Sequence, residues 1–222
     1  MSQATPAPKP QDGARSDPLS GAAVIVCVTG GIAAYKTATV VSRLAQRGCE
    51  VTVAMTGGAA KFVTPLTFQA LSGRAVYTGV WDQHEASDPQ HIRLATRADA
   101  AVVCPCTMDC MARLATGLTD DAVTLILSAV DRTKTPVLLA PAMNSVMWAQ
   151  ASTQRNLKVL EGDGFEFIGP AEGWQACRHT GPGRMSEPEE IVERLEAMVG
   201  ALAMGERVGR EASRRAGDPE KG

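Results

Sequence analysis

The chain has 222 residues, 45% of them apolar and 21% charged, with a formal net charge of -2. That composition suits one soluble globular domain with a sizeable core. The near-neutral balance offers no electrostatic footprint for nucleic acid or an anionic membrane, and no apolar run approaches the roughly 20 residues of a membrane span.

Residues 1–21 carry Pro6, Pro8, Pro10 and Pro18 among Ala, Gln and Ser, without the apolar stretch of a signal peptide. They read as a disordered extension. Residues 22–204 are expected to form the ordered domain, and the charged segment 205–222, nearly devoid of apolar residues, reads as a disordered tail. Without a secretory signal, the six cysteines are expected to stay as thiols in a reducing cytoplasm. Cys104, Cys106 and Cys110 have a metal-like spacing but no fourth ligand or nearby His. Small buried side chains, and no metal, are the expectation.

Strands are predicted at Ala23–Val28, Val51–Met55, Ala100–Cys104, Pro136–Ala140 and Glu166–Ile168, with a weaker one near Ala75–Tyr77. Helical patterns fill about 32–47, 58–72, 108–116, 120–131, 149–162 and 187–204. Near-continuous apolar strands separated by helices imply a parallel sheet covered on both faces, a Rossmann-like three-layer α/β/α fold.

Such sheets bind ligands beyond the carboxyl ends of their strands. Those ends here read Thr29-Gly30-Gly31, Met55-Thr56-Gly57-Gly58, Pro105-Cys106-Thr107 and Pro141-Ala142-Met143-Asn144. Glycine lets backbone amides approach an anion, and the following helix adds its positive end, so a mononucleotide phosphate fits this rim. A dinucleotide would call for G-x-G-x-x-G and an acidic residue at the end of the second strand, where Met55-Thr56 stands instead. Lys36-Thr37 lies too far into the helix pattern for a P-loop.

TGGIAAYK (29–36), FVTPLTFQALSG (62–73), HIRLATRAD (91–99), PAMNSVMW (141–148) and QACRHTGPGRMSEP (175–188) together make the sequence resemble the flavin-containing cysteine decarboxylases. Within them it looks most like the branch that acts on phosphopantothenoylcysteine in coenzyme A biosynthesis. The resemblance implies bound flavin mononucleotide (FMN), with its phosphate near Gly30, Gly31 and Ile32. Thr56, Phe62, Thr107, Met108 and Asp109 would surround it, with Ala142 near the ring. It also implies a redox-neutral decarboxylation, in which the flavin oxidises the thiol-bearing carbon, CO2 leaves, and the resulting enethiol is reduced.

His91 is implied as the acid/base, Asn144 as the holder of the substrate carboxylate or amide, and Cys177 as the acid that protonates the enethiol. Met147, Ala176 and Arg184 complete the implied substrate contacts, the last two within a long lid-like loop from Gly169 to Glu187. His91 would come from a neighbouring subunit of a homotrimer, or of a dodecamer of trimers. Because the chain stops after its last helix, a separate phosphopantothenate-cysteine ligase polypeptide is expected.

Four residues depart from the family pattern. Arg178 and His179 follow Cys177 where Gly is usual, and Cys106 and Met108 stand where small residues are expected. Peptidyl-cysteine decarboxylases, which stop at the enethiol, and regulatory flavoproteins that bind a phosphatase are the alternatives. Cys177 speaks against the first, and the lack of a long acidic tail against the second.

Overall fold

The computed structural model describes residues 17–81, 90–176 and 178–216. The expected disorder of residues 1–16 and 217–222, and the acid assigned to Cys177, fall outside the described residues. Six strands form one sheet in the order β3-β2-β1-β4-β5-β6: β1 (Ala23–Val28), β2 (Glu50–Met55), β3 (Val76–Tyr77), β4 (Ala100–Cys106), β5 (Val137–Pro141) and β6 (Glu166–Phe167). Every neighbouring pair is parallel. The three-layer expectation therefore holds.

Because strand side chains alternate between faces, β1 sends Val24, Val26 and Val28 into one core and Ile25 and Cys27 into the other. The first core is closed by α1 (Ala34–Gln46), α2 (Pro65–Ser72) and α8 (Pro188–Ala216), through Val40, Val41, Leu44, Phe68, Ile191 and Leu195. The second is closed by α3 (Gln90–Arg97), α4 (Met108–Thr116), α5 (Ala122–Ser128) and α7 (Ala151–Gly162), through Ala95, Met111, Ile126, Leu127 and Leu160. Each such fully buried aliphatic side chain contributes roughly 1.5–3 kcal/mol. Burial on both faces is what makes the strands read as unbroken apolar runs.

The chain runs from β1 outward to β3, then returns to place β4 on the other side of β1. Helices therefore lie on opposite faces on either side of this switch point, and a crevice opens beyond the carboxyl ends of β1 and β4.

Several boundaries differ from the expectation. Leu19 is fully buried and Arg47 pairs with Asp17, so residues 17–21 pack against the domain rather than trailing from it. The helix expected over 58–72 breaks into a 3-10 turn, Ala59–Lys61, and α2, because Pro65 occupies a helix start and holds Thr64 extended. A short α6 (Ser145–Ala149) precedes α7. The HIRLATRAD stretch, to which no element was assigned, forms α3.

The segment 169–187 is not an open loop. Its centre is an antiparallel hairpin of β7 (Ala171–Trp174) and β8 (Thr180–Arg184). At the end of the chain α8 continues to Ala216, well past 204. Residues 205–216 are rich in Ala, Glu and Arg, which favour helix without needing a core. Among the described residues no helix is long and apolar enough to cross a membrane.

Candidate active site

Three strand ends, those of β1, β2 and β4, meet at the switch point and are tied to one another. Thr29, buried at the end of β1, donates its hydroxyl to the Pro105 carbonyl at 2.6 Å and accepts the Thr107 amide at 3.2 Å. Thr107 in turn caps α4 by accepting the Cys110 amide at 3.3 Å. At the end of β2, the Thr56 hydroxyl accepts the Ala59 amide at 3.2 Å. The β1 and β2 turns touch directly: a Cβ on Gly30 would lie 3.0 Å from both Cα and the carbonyl carbon of Gly58. Any larger residue at 30 would push the Gly58 backbone away by at least a few tenths of an ångström.

These turns lead into α1, the 3-10 turn and α4, whose first amides have no intrahelical acceptor. The amides of Met108 and Asp109 occupy such positions at the start of α4, and those of Ile32, Ala33, Gly57 and Gly58 lie in the turns just before α1 and the 3-10 turn. Together with the positive helix ends they form an anion cradle at one end of a cavity of about 1130 Å³. Pockets for one small molecule run to roughly 1,000 Å³, so a cofactor and a substrate could share this one.

The other end is built from α6 and the hairpin. Asn144 caps α6 by accepting the Val146 amide at 2.8 Å. The Met143 amide donates to the Gly183 carbonyl at 2.9 Å, stitching this segment to β8. Gly183 has φ +132, and a Cβ there would stand 2.2 Å from the Met143 carbonyl oxygen. The hairpin can approach this closely only with glycine at 183.

Charge is concentrated on the walls. Lys36 Nζ lies 3.1 and 3.0 Å from the two Glu187 oxygens, and Arg184 pairs with the same carboxylate. Burial, reinforced by Arg184, lowers the Lys36 pKa; the close Glu187 carboxylate nonetheless favours its charged form. On the opposite wall Arg113 lies 2.8 Å from Asp109 and also pairs with Asp120. Burial pushes the Cys104 thiol up to about 12 and the Cys27 thiol well above its ordinary range. The Cys110 hydrogen bond, followed by burial, raises Cys106 in the same way. These thiols stay protonated near neutral pH, and among the described residues no three Cys, His, Asp or Glu side chains converge as metal ligands.

Of the residues singled out from the sequence, Gly30, Gly31, Ile32, Thr56, Thr107, Met108, Asp109 and Ala142 line the cavity, as do Asn144, Met147, Ala176 and Arg184. Phe62 and His91 do not. Phe62 is half exposed beside α2, and His91 sits in the first turn of α3, away from the cavity wall of its own chain. Sequence reasoning missed Tyr35, Lys36, Arg113, Trp174 and Gln175, which also line it. Lys36 could have been found from its place five residues after Gly31, one helical turn in. Gln175 carries no local pattern that marks it.

The flavoprotein family model matches residues 13–200. This chain belongs to the flavoprotein family. The coenzyme A biosynthesis bifunctional protein CoaBC of Haemophilus influenzae is 47% identical over 177 residues, which cover 80% of this chain and 44% of that protein. The chain thus spans less than half the length of that relative. Among solved structures, a PPC decarboxylase mutant complexed with pantothenoylaminoethenethiol is 28% identical with a TM-score of 0.72, covering 80% of this chain and 97% of its own. The FMN-dependent cysteine decarboxylase SpaF is 27% identical with a TM-score of 0.71, covering 83% of this chain and 99% of its own. The flavoprotein fold of this chain accordingly extends over nearly the whole of both structures.

Proposed function

We propose that this chain binds FMN and decarboxylates 4'-phosphopantothenoylcysteine to 4'-phosphopantetheine in coenzyme A biosynthesis. One observation carries the reading: a single cavity joins the anion cradle at Gly30, Thr56 and Thr107 to the PAMNSVMW segment and the hairpin. The residues present fit a flavin nucleotide. The Gly30–Gly58 approach leaves the turn bare of side chains, the turn amides at 30–33 and 57–58 and the start of α4 would suit a phosphate, and Ile32, Met108 and Ala142 give apolar surface for a ring. The relatives' own activities, cysteine decarboxylation and coenzyme A biosynthesis, support the same choice.

When bound, FMN would withdraw two electrons from the thiol-bearing carbon, so that CO2 can leave, and then return them. The chain's residues do the rest. Asn144, held on the N-terminus of α6, binds the substrate carboxylate or its neighbouring amide, while Met147 and Ala176 exclude water beside it. Cys177 gives a proton to the enethiol. His91 is the acid/base, supplied by a neighbouring copy, which is supported by its place outside the cavity of its own chain. A homotrimer, alone or in a dodecamer, would bring it in, and exposed Phe62 and Leu66 offer apolar surface for such contacts. A phosphopantothenate-cysteine ligase activity is the proposed source of the substrate.

Mass spectrometry of single reaction mixtures tests this. The purified protein with FMN should release CO2 and form phosphopantetheine, His91→Asn should release none, and Cys177→Ser should accumulate the enethiol. No turnover by a flavin-loaded wild type would reject the reading. Normal phosphopantetheine from Cys177→Ser would reject the role of that thiol, and sedimentation of an active monomer would reject the shared site.

A further inference from the structure

The two parts of the substrate wall, α6 and the hairpin, are separate in sequence and share no sheet. One side chain spans them. Gln175, nine-tenths buried at the end of β7, accepts the Ser145 amide through Oε1 at 3.2 Å. Its Nε2 donates to the Pro182 carbonyl at 2.9 Å and the Gly181 carbonyl at 3.2 Å. Its backbone closes the hairpin tip as well, donating to the His179 carbonyl and accepting the Arg178 amide, both at 2.9 Å. The amide oxygen meets an N–H and the amide nitrogen meets two carbonyls, so the side chain works in one orientation only.

We propose that Gln175 is a positioning residue for the decarboxylation: it registers the hairpin tip against the start of α6, so that Ala176 and Asn144 face the substrate as one rigid wall. This rests on the function proposed above. Ser145 follows Asn144 directly, so the bond from its amide fixes the turn that carries the Asn144 carboxamide. The junction is also closely packed: a Cβ on Gly183 would lie 2.8 Å from Gln175 Nε2, and one on Gly181 would lie 3.2 Å from Ser145 Cβ. The acid assigned to Cys177 comes two residues after Gln175, so an error in the tip should fall on the second half-reaction.

Replacing amide by carboxyl gives a test that simple destabilisation cannot mimic. In Gln175→Glu a carboxylate would face the Gly181 and Pro182 carbonyls in a buried site, which raises its pKa above the ordinary value near 4.3. Below that raised pKa the neutral carboxyl restores a donor toward the carbonyls and an acceptor for the Ser145 amide. Activity should therefore return as pH falls. Among described hairpin residues the charged or titratable side chains are Glu172, Arg178, His179 and Arg184, and α6 has none. All of these remain in both variants, so normalisation to wild type removes their effect.

The experiment compares flavin-loaded wild type, Gln175→Ala and Gln175→Glu from about pH 5.5 to pH 8 against the usual Glu range. Gln175→Ala should keep its flavin but lose about tenfold to a hundredfold in kcat, with KM changed less and a larger enethiol fraction, as expected for misplacement of the reacting groups. Gln175→Glu should match that loss at high pH and recover at low pH. The inference is overturned if Gln175→Ala keeps wild-type kcat and product ratio, if Gln175→Glu follows the wild-type pH profile, or if both variants lose flavin and thermal stability together. Absence of turnover in wild type would instead reject the underlying function.

Discussion

The two ends of the cavity are built on different physics. The anion cradle is anchored in the parallel sheet, where a buried Thr29 hydroxyl and a backbone contact between Gly30 and Gly58 tie β1, β2 and β4 together. The substrate wall hangs on a two-stranded hairpin whose register with α6 depends on Gln175, the Met143–Gly183 bond and the Glu187 ion pairs. The cradle is thus as stable as the core, whereas the wall is only as well placed as a few polar bonds allow. Flavin binding and turnover should be separable by mutation.

The largest effect is expected at the cradle. Gly30→Val would drive a branched side chain into the Gly58 backbone, which must shift or unfold locally at a cost of about 1–3 kcal/mol. Flavin affinity, followed by fluorescence titration, should fall by about a hundredfold or more, since about 2.8 kcal/mol suffices for that factor. Retained flavin would show that the turn is not the phosphate site.

Gly183→Ala strikes the other end. A Cβ cannot stand 2.2 Å from the Met143 oxygen, so β8 must part from the PAMNSVMW segment. Turnover should fall by about a hundredfold while the protein stays yellow, because misplacement of roughly 1 Å costs that much. Joint loss of colour and activity would erase the distinction between the two ends.

A smaller effect is predicted for Thr29→Val. It leaves the buried Pro105 carbonyl without the Thr29 hydroxyl and removes the acceptor of the Thr107 amide, which should cost about 1–3 kcal/mol in chemical denaturation and weaken flavin binding about tenfold. The smallest change is a gain. Arg178, at the hairpin tip, has φ +64, a left-handed conformation that costs a non-glycine residue roughly 1–2 kcal/mol. Arg178→Gly should stabilise the folded tip while giving up part of that gain to extra freedom in the unfolded chain. Thermal unfolding of the two proteins measures the balance, and a clear loss of stability would mean that the Arg178 side chain makes a stabilising contact.

Arg178 also shows how far the sequence could be read. The sequence showed only that it follows Cys177 where glycine is usual, and the backbone supplies the reason, an arginine at positive φ. The strand ends were legible for a related reason: Thr29-Gly30-Gly31, Thr56-Gly57-Gly58 and Thr107 each sit between an apolar run and a helical pattern, so local chemistry marked them independently. Lys36 was not legible as a site residue, because its partner Glu187 lies 151 residues away.

What the sequence by itself determined is the layered core. Apolar runs such as AVIVCV can be satisfied only by burial on both faces, and α4 was bounded correctly by Thr107 before it and Gly117 after it. Tertiary structure alone decided the hairpin, the short α6 and the distance of His91 from its own cavity. Residues 171–184 have no apolar alternation, and Trp174 and Thr180 are their only strand formers. They pair because β8 is held against α6 by Met143, Ser145 and Gln175, contacts made across some 30 residues of intervening chain. Local propensity encodes what a segment can do alone, and this wall exists only once the sheet has brought its two parts together.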